Sequence, residues 1–315
     1  MVPSDAGDRY DPDAREHSQA PPARHIPKAV SPPAPMKPRA SAPIARSNLL
    51  LAQWSRSMGE LVAACNGPGF EQALCRALRR LVEVDFAMVF GYRGAERPVA
   101  LGDTLDPDLQ RILIHDYLNG PFVLDPFFQA ILDGVRGGCH RLLDVAPDRF
   151  RQSEYFRAHY GRTKIGEEVG FFFELPGGMV GVLSFARWRG HPALTRHDME
   201  MQRAIEPALV SLCLRHWSEA AGRMHGAAVV SAVQSENGAG PQPLARALER
   251  FGASRLSNRE REIVTYVLQG HSTESIARNL DISPGTVKIH RKNIYRKLGI
   301  STQAQLFATF LSSLS

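Results

Sequence analysis

The chain has 315 residues, 43% hydrophobic, 22% charged and 8% aromatic, the make-up of a folded protein of about two domains. No run reaches the ~18 uninterrupted apolar residues of a membrane span, and the N-terminus lacks the apolar stretch of a secretory signal. Four scattered cysteines, Cys65, Cys75, Cys139 and Cys213, form no C-x-x-C pair. These features predict a cytoplasmic protein with no membrane association, no disulfide framework and no cysteine zinc site.

The net charge of +6 is unevenly placed. Residues 245–315 hold 11 Lys and Arg against 5 Asp and Glu, so the first 244 residues balance to zero. Positive charge concentrated in one end predicts a polyanion-binding module attached to a neutral domain.

Residues 1–47 carry ten of the 22 prolines and few large apolar side chains, which predicts a disordered Pro-rich tail. Residues 48–220 read as one mixed domain. Helical spacing occurs over 48–64 and 70–82, where Phe70, Leu74, Ala77, Leu78 and Leu81 share a face. An apolar run over 84–92 has the length of a strand. Helices are predicted over 105–118, 126–132 and 153–160. Strands over 168–175 and 179–186 flank Pro176-Gly177-Gly178, a hairpin signal. A long helix over 195–217 contains Pro207. Helices on both sides of a small antiparallel sheet resemble the α-β-α sandwich of GAF- and PAS-type sensors. Residues 221–248, rich in Ala, Gly, Ser and Gln, read as a linker. Residues 249–315 form a separate all-α module of four helices, so the chain as a whole is α+β.

That module is the most informative segment. Ser257 and Glu260 make an S-x-x-E capping box. The helix they open carries Ile263, Val264 and Val267 inward and stops at Gly270. A second helix runs from Ser272 or Thr273 to Leu280. After the turn Asp281-Ile282-Ser283, Ser283 caps a third helix with Pro284 in its first position, ending at Leu298-Gly299. A fourth follows from Thr302. Two short helices joined by a tight turn are a helix-turn-helix, whose second helix enters the DNA major groove. At ~100° per residue, Val287, Ile294 and Leu298 form a buried stripe, and Gly285, Lys288, Ile289, Lys292 and Arg296 fall opposite. Between Ser283 and Leu298 stand five Lys and Arg and no acid, whereas a merely solvated helix interleaves both signs.

The stretch from Leu256 to Leu311 is similar to the LuxR-type helix-turn-helix family of bacterial transcription regulators. The resemblance rests on Leu256-Ser257-Asn258-Arg259-Glu260-Arg261-Glu262, Gly270, Ile276-Ala277, Leu280, Ile282-Ser283, Thr286-Val287-Lys288, His290, Asn293-Ile294 and Lys297-Leu298-Gly299, without a gap. Ser275 departs from the acid often found there. The family implies double-stranded DNA as partner. Lys288, Ile289 and Lys292 are then candidates for base edges, since ammonium groups donate to guanine and an aliphatic side chain meets a thymine methyl. Thr286, Arg291 and Arg296 are candidates for phosphates. Glu260 has two readings, helix cap or partner of a base within the module, and His290 reads as a packed histidine. The family also implies a homodimer through the last helix, and hence an inverted-repeat site.

For the first domain, a phosphorylation receiver is excluded because only Asp85 accompanies an early strand. Tyr117 followed by Asp125-Pro126 resembles the aromatic-to-Asp-Pro segment of acyl-homoserine-lactone-binding domains, in which the Asp accepts a hydrogen bond from the ligand amide. That implies a small-molecule effector, lactone-like or other, with Tyr117, Phe122, Asp125, Phe128 and Tyr155 as candidate pocket residues. The departures matter. No tryptophan lies between Trp54 and Trp188, and Cys139-His140-Arg141 stands where the family places a tryptophan donor. A lactone carbonyl left without a donor costs ~1–3 kcal/mol, so a standard lactone is expected to bind poorly. Asp125 before Pro126 also reads as a plain helix cap.

Neither a P-loop nor G-x-G-x-x-G, G-x-S-x-G or H-E-x-x-H occurs with proper flanks, so no enzyme, cofactor or metal is predicted. The sequence points to a ligand-controlled regulator resembling orphan quorum-sensing regulators. The alternative is a ligand-independent regulator whose first domain dimerises or docks a protein.

Overall fold

The computed structural model describes residues 42–234 and 251–313. Most of the predicted tail, and the linker from 235 onward, lie outside them. Helix α1 (Ala42–Ala64) starts earlier than its apolar pattern predicted. Pro43 sits in its first turn, where a missing N–H costs nothing. Helix α2 (Phe70–Arg79) buries Phe70, Ala73, Leu74, Ala77 and Leu78, each large side chain contributing about 1.5–3 kcal/mol on leaving water.

Among the described residues five strands form one antiparallel sheet: β1 (Phe86–Tyr92), β2 (Val99–Asp103), β3 (Gly138–Arg141), β4 (Ile165–Leu175) and β5 (Met179–Trp188), in the order β2-β1-β5-β4-β3. The β4–β5 hairpin closes on Leu175 opposite Met179, as Pro176-Gly177-Gly178 required. The edge strands β2 and β3 were not foreseen.

Alternation along the strands divides the core. Ala87, Val89, Phe171, Phe173, Leu183 and Phe185 point to one face, packed under α1, α2 and α7 (Arg196–Gln234). Met88, Phe90, Tyr92, Phe172 and Val182 point to the other. That face is covered by α3 (Pro107–Gln110), the π-helical turn Arg111–Asp116, α4 (Pro126–Leu132), α5 (Leu142–Val145) and α6 (Glu154–Thr163). The domain is the expected α-β-α sandwich. Two readings change. The predicted helix over 105–118 is a short α-turn followed by a π-helix, and α7 continues as helix to Gln234, through residues read as linker.

The C-terminal module follows its sequence signals closely. Helix α8 (Asn258–Gln269) has the Ser257–Glu260 capping box and ends on left-handed Gly270. Helices α9 (Thr273–Asn279), α10 (Pro284–Leu298) and α11 (Gln303–Ser312) start at Ser272, Ser283 and Thr302, whose hydroxyls accept backbone amides.

Among the described residues the two units are joined by packing and by backbone-amide hydrogen bonds. Arg149 N donates to Gly270 O at 3.0 Å, and Ser272 N donates to Asp148 Oδ1 at 2.9 Å. Gly270 has φ +98°, and a Cβ there would lie 3.0 Å from Phe150 Cα, so both its backbone conformation and this approach require glycine.

Candidate nucleic-acid interface and buried cavity

On α10, Val287 and Ile294 are buried, whereas Lys288, Ile289, Lys292 and Arg296 are exposed. Ile289 is 63% exposed, an aliphatic side chain left in water between two lysines. Thr286 and Arg291 are half-buried beside this face. The Thr286 hydroxyl lies 2.8 Å from Ser283 Oγ, so its first-turn position is already held by the cap. His290 is half-buried at the edge of the stripe.

Both readings of Glu260 hold at once. Its Oε2 accepts the Ser257 amide at 2.8 Å and the Lys297 ammonium at 2.6 Å. Burial works against its charge, but Lys297 and Ser257 outweigh that and hold its pKa below the usual carboxylate value. The base at the C-terminal end of α10 is thereby anchored inward, leaving Lys288, Lys292 and Arg296 on the outer face.

The last helix packs on its own chain. Leu306, Phe307 and Phe310 are buried, and α11 packs on both α8 and α6 of its own chain. Leu311 beside them is half-buried. Phe251 meets Phe310 edge-on at 5.6 Å.

In the first domain, side chains from β1, β4, β5, the π-turn, α4 and α6 enclose a cavity of about 20 Å³, room for about one water. Asp125 stands at its rim in a double role. Oδ1 caps α4 by accepting Phe127 N at 2.8 Å, and Oδ2 accepts the Tyr117 hydroxyl at 2.8 Å. Tyr117 thereby spends its only proton, so Tyr92, 2.9 Å away, donates to Tyr117. Burial is the chief cause that lifts the Asp125 pKa to about 6.

Across the cavity, Glu168 Oε2 accepts the Tyr160 hydroxyl at 2.7 Å, and its Oε1 accepts the Ser184 hydroxyl. Burial first, then the charge of Asp125, lift Glu168 to about 7. His159 also lines the space, and burial pushes its pKa down to about 4. Gly170 on β4 leaves room here for the rings of Phe172 and Phe127, which a Cβ would approach to 3.0 and 3.1 Å.

Of the predicted pocket residues, Tyr117 and Asp125 line the cavity. Phe122 and Phe128 stack behind it, 5.3 Å apart edge-to-face, and so form its support. Tyr155 is 1% exposed and its ring stacks on His159 at 5.6 Å. Sequence reasoning missed Glu168, Ser184, Tyr92 and His159. The signal for Glu168 was present: it shares strand parity with Phe172, which faces this core. Cys139 faces the opposite core, and His140 is tied to Gly137 O at 2.9 Å. Among the described residues no group of His, Cys, Asp and Glu is placed to hold a metal, and no helix is long and apolar enough to cross a membrane.

Comparison with known proteins agrees with the C-terminal geometry. The family model for bacterial regulatory proteins of the luxR family matches residues 254–310. A protein of Aeromonas salmonicida named as an HTH-type transcriptional regulator in the exeN 3' region is 33% identical over 190 residues, covering 60% of this chain and 94% of that protein. The transcriptional regulatory protein MctR of Rhizobium johnstonii is 34% identical over 101 residues, 26% of this chain and 47% of that protein. The VqsR LBD domain of Pseudomonas aeruginosa aligns with a TM-score of 0.44 and 24% identity, covering 50% of this chain and 93% of that one. These relatives are named as transcriptional regulators, not as enzymes. The chain belongs to the LuxR family of bacterial regulatory proteins and is a DNA-binding transcription regulator.

Proposed function

We propose that the protein acts in the cytoplasm as a homodimer on double-stranded DNA, under the control of a small molecule bound in the cavity of its first domain, in a quorum-sensing-like arrangement. The observation that carries the DNA-reading part is the outer face of α10, with Lys288, Lys292 and Arg296 around Ile289 at 63% exposure. Burial of Val287 and Ile294 already secures the helix, so packing does not need Ile289. It suits a thymine methyl, the lysines suit guanine O6 and N7, and Thr286, Arg291 and Arg296 suit phosphates.

Ligand control is supported by the position of α6. One side of this helix supplies His159 and Tyr160 to the cavity, and the helix also packs against α8 and α11. The cavity is nearly closed at about 20 Å³, so a guest must move its walls, and moving α6 disturbs the seat of the DNA-binding module. An effector that prefers the opened arrangement then shifts the equilibrium by its differential affinity. A released α11 regains the apolar surface through which a dimer forms.

The near-closure of the cavity also favours a second reading, a ligand-independent regulator whose first domain dimerises or docks a protein. Thermal unfolding in a broad small-molecule extract separates the two, because only a sensor is stabilised. The DNA-reading claim is tested with full-length protein and fragmented genomic DNA at moderate salt. Enrichment of fragments sharing an inverted repeat is the expected result. Equal retention of all fragments overturns it.

A further inference from the structure

The two units enclose a cleft of about 750 Å³ between them, a volume in the range of small-molecule sites and far above that of the water-sized cavity under the sheet. One wall is α4 with its C-cap, which presents Pro126, Gln129, Ala130 and Asp133. The facing wall is α8, which presents Glu262, Thr265, Tyr266 and Gln269. Both sets follow the i, i+3, i+4, i+7 spacing of a single helix face. Val145, Pro147 and Leu280 add apolar surface. The bonds from Arg149 to Gly270 and from Ser272 to Asp148 keep the two units in this arrangement.

Gln269 lines the cleft and is only 8% exposed, yet its carboxamide makes no hydrogen bond among the described residues. The other buried residues of α8 are apolar, apart from Glu260, whose carboxylate is partnered by Ser257 and Lys297. Packing alone would be served by Leu or Met at this position. A buried amide without a partner is a cost that native cores rarely carry. One turn earlier, Tyr266 meets His271 edge-on at 4.9 Å, and its hydroxyl likewise has no partner among the described residues.

The charge of the walls narrows the guest. Neither Lys nor Arg lines the cleft. His271 does, but its Nδ1 lies 2.9 Å from the Ser275 hydroxyl and burial lowers its pKa, so the ring is neutral at pH 7. Glu262 is paired with Arg259 at 2.8 Å, whereas Asp133 is exposed at the rim. An anion entering here meets a carboxylate and no base to offset it.

We propose that this cleft is a binding site for an uncharged ring compound of the lactam kind, an N–H beside a carbonyl on an apolar body, bridging α4 and α8. A carboxamide presents a donor and an acceptor side by side, and a lactam edge returns the matching pair to Gln269. Pro126, Pro147, Val145 and Leu280 suit the apolar body. A guest touching both walls binds the docked arrangement alone, and so favours it by its differential affinity. The site is separate from the cavity of the first domain and does not depend on that cavity admitting an effector.

Isothermal titration of the full-length protein with oxindole and with carbostyril tests this. Each is set beside its N-methyl form, which lacks the donor, and quinaldate supplies an anion. At least one lactam is expected to bind about tenfold or more tightly than its N-methyl form and than the anion. Bound lactam is expected to slow amide hydrogen exchange over 129–134 and 265–271. Gln269→Met, which keeps the side-chain length, is expected to weaken binding about tenfold without lowering the Tm of the ligand-free protein. Equal binding of lactam and N-methyl form, or tighter binding of the anion, overturns the assignment on wild type alone, whatever the variant does. A folded Gln269→Met protein that binds as wild type does overturns it as well. Slowed exchange confined to the strands around the inner cavity overturns it and leaves the sensor reading standing. Silence of both lactams overturns it too.

Discussion

Lys297 donates from Nζ to Glu260 Oε2 at 2.6 Å, and the same oxygen accepts the Ser257 amide at 2.8 Å. One carboxylate thus closes the capping box of α8 and ties down the end of α10. Glu260→Gln keeps an amide oxygen for the cap but loses the charge, and is expected to cost about 1 kcal/mol. Glu260→Ala loses both and is expected to cost about 2–3 kcal/mol. Amide hydrogen exchange in α8 and α10 reads the difference. Equal losses for the two variants would show that the cap contributes nothing.

The outer face of α10 predicts two kinds of failure. Lys288→Ala and Lys292→Ala are expected to relax preference at particular base pairs by ~1–3 kcal/mol, and Ile289→Ala to relax it at a thymine. Arg291→Ala is expected to weaken all sequences alike and to lower the salt slope by about one. Competition binding over a set of single-base operator variants at two salt concentrations distinguishes them. If the lysine and Arg291 variants behave alike, the division into base and phosphate contacts is wrong.

The C-terminal module was legible almost to the residue because its signals are local. Ser257, Ser272, Ser283 and Thr302 each cap their own helix, and Gly270 and Gly299 terminate theirs. The sheet domain was legible only where strands are buried on both faces, as in β1, β4 and β5. Strand β2 is short and only partly buried, and β3 reads Gly-Cys-His-Arg; such edge strands are held by pairing with a neighbour, which no local pattern reports. The cavity was half legible. Tyr117 and Asp125 lie eight positions apart and stood out, but Glu168 and Ser184 reach them only through strand register. The covering of α11 by α6 was not legible, since it depends on how two units dock.

That docking predicts the next outcome. Asp148 accepts the Ser272 amide at 2.9 Å, and α11 is packed on α6 while it does so. Burial works to raise the Asp148 pKa, but the Ser272 hydrogen bonds outweigh it, and the pKa lies below the ordinary value. Asp148→Ala removes the Ser272 hydrogen bonding, at least about 1 kcal/mol, from the docked arrangement alone. The expected result is a dimer dissociation constant and an effector-free operator Kd both lower by about fivefold. Sedimentation equilibrium and operator binding measure them. Weaker dimerisation in the variant would mean that the docked arrangement is the active one.

Glu168 gives the pH prediction, and its sign follows from where its proton resides. Its pKa is lifted to about 7 by burial and by Asp125, whereas an unfolded glutamate titrates near 4.3. Between these values the folded state holds more protons than the unfolded one, so the contribution of Glu168 to stability is full at low pH. It is lost as pH rises through about 7. Asp125, lifted to about 6 by burial, acts in the same direction, while His159, pushed down to about 4 by burial, opposes it below about pH 6. The wild-type profile therefore mixes the three. Comparison with Glu168→Gln isolates Glu168 together with its coupling to Asp125, since the rest is shared. The variant is expected to gain on wild type by on the order of 3 kcal/mol as pH rises from about 4.5 to about 7.5, and to gain nothing further above that. Thermal unfolding of both proteins across this range measures it. A constant difference in Tm would place Glu168 in contact with water, and the closed cavity lined by neither Lys nor Arg would be the wrong description of its surroundings.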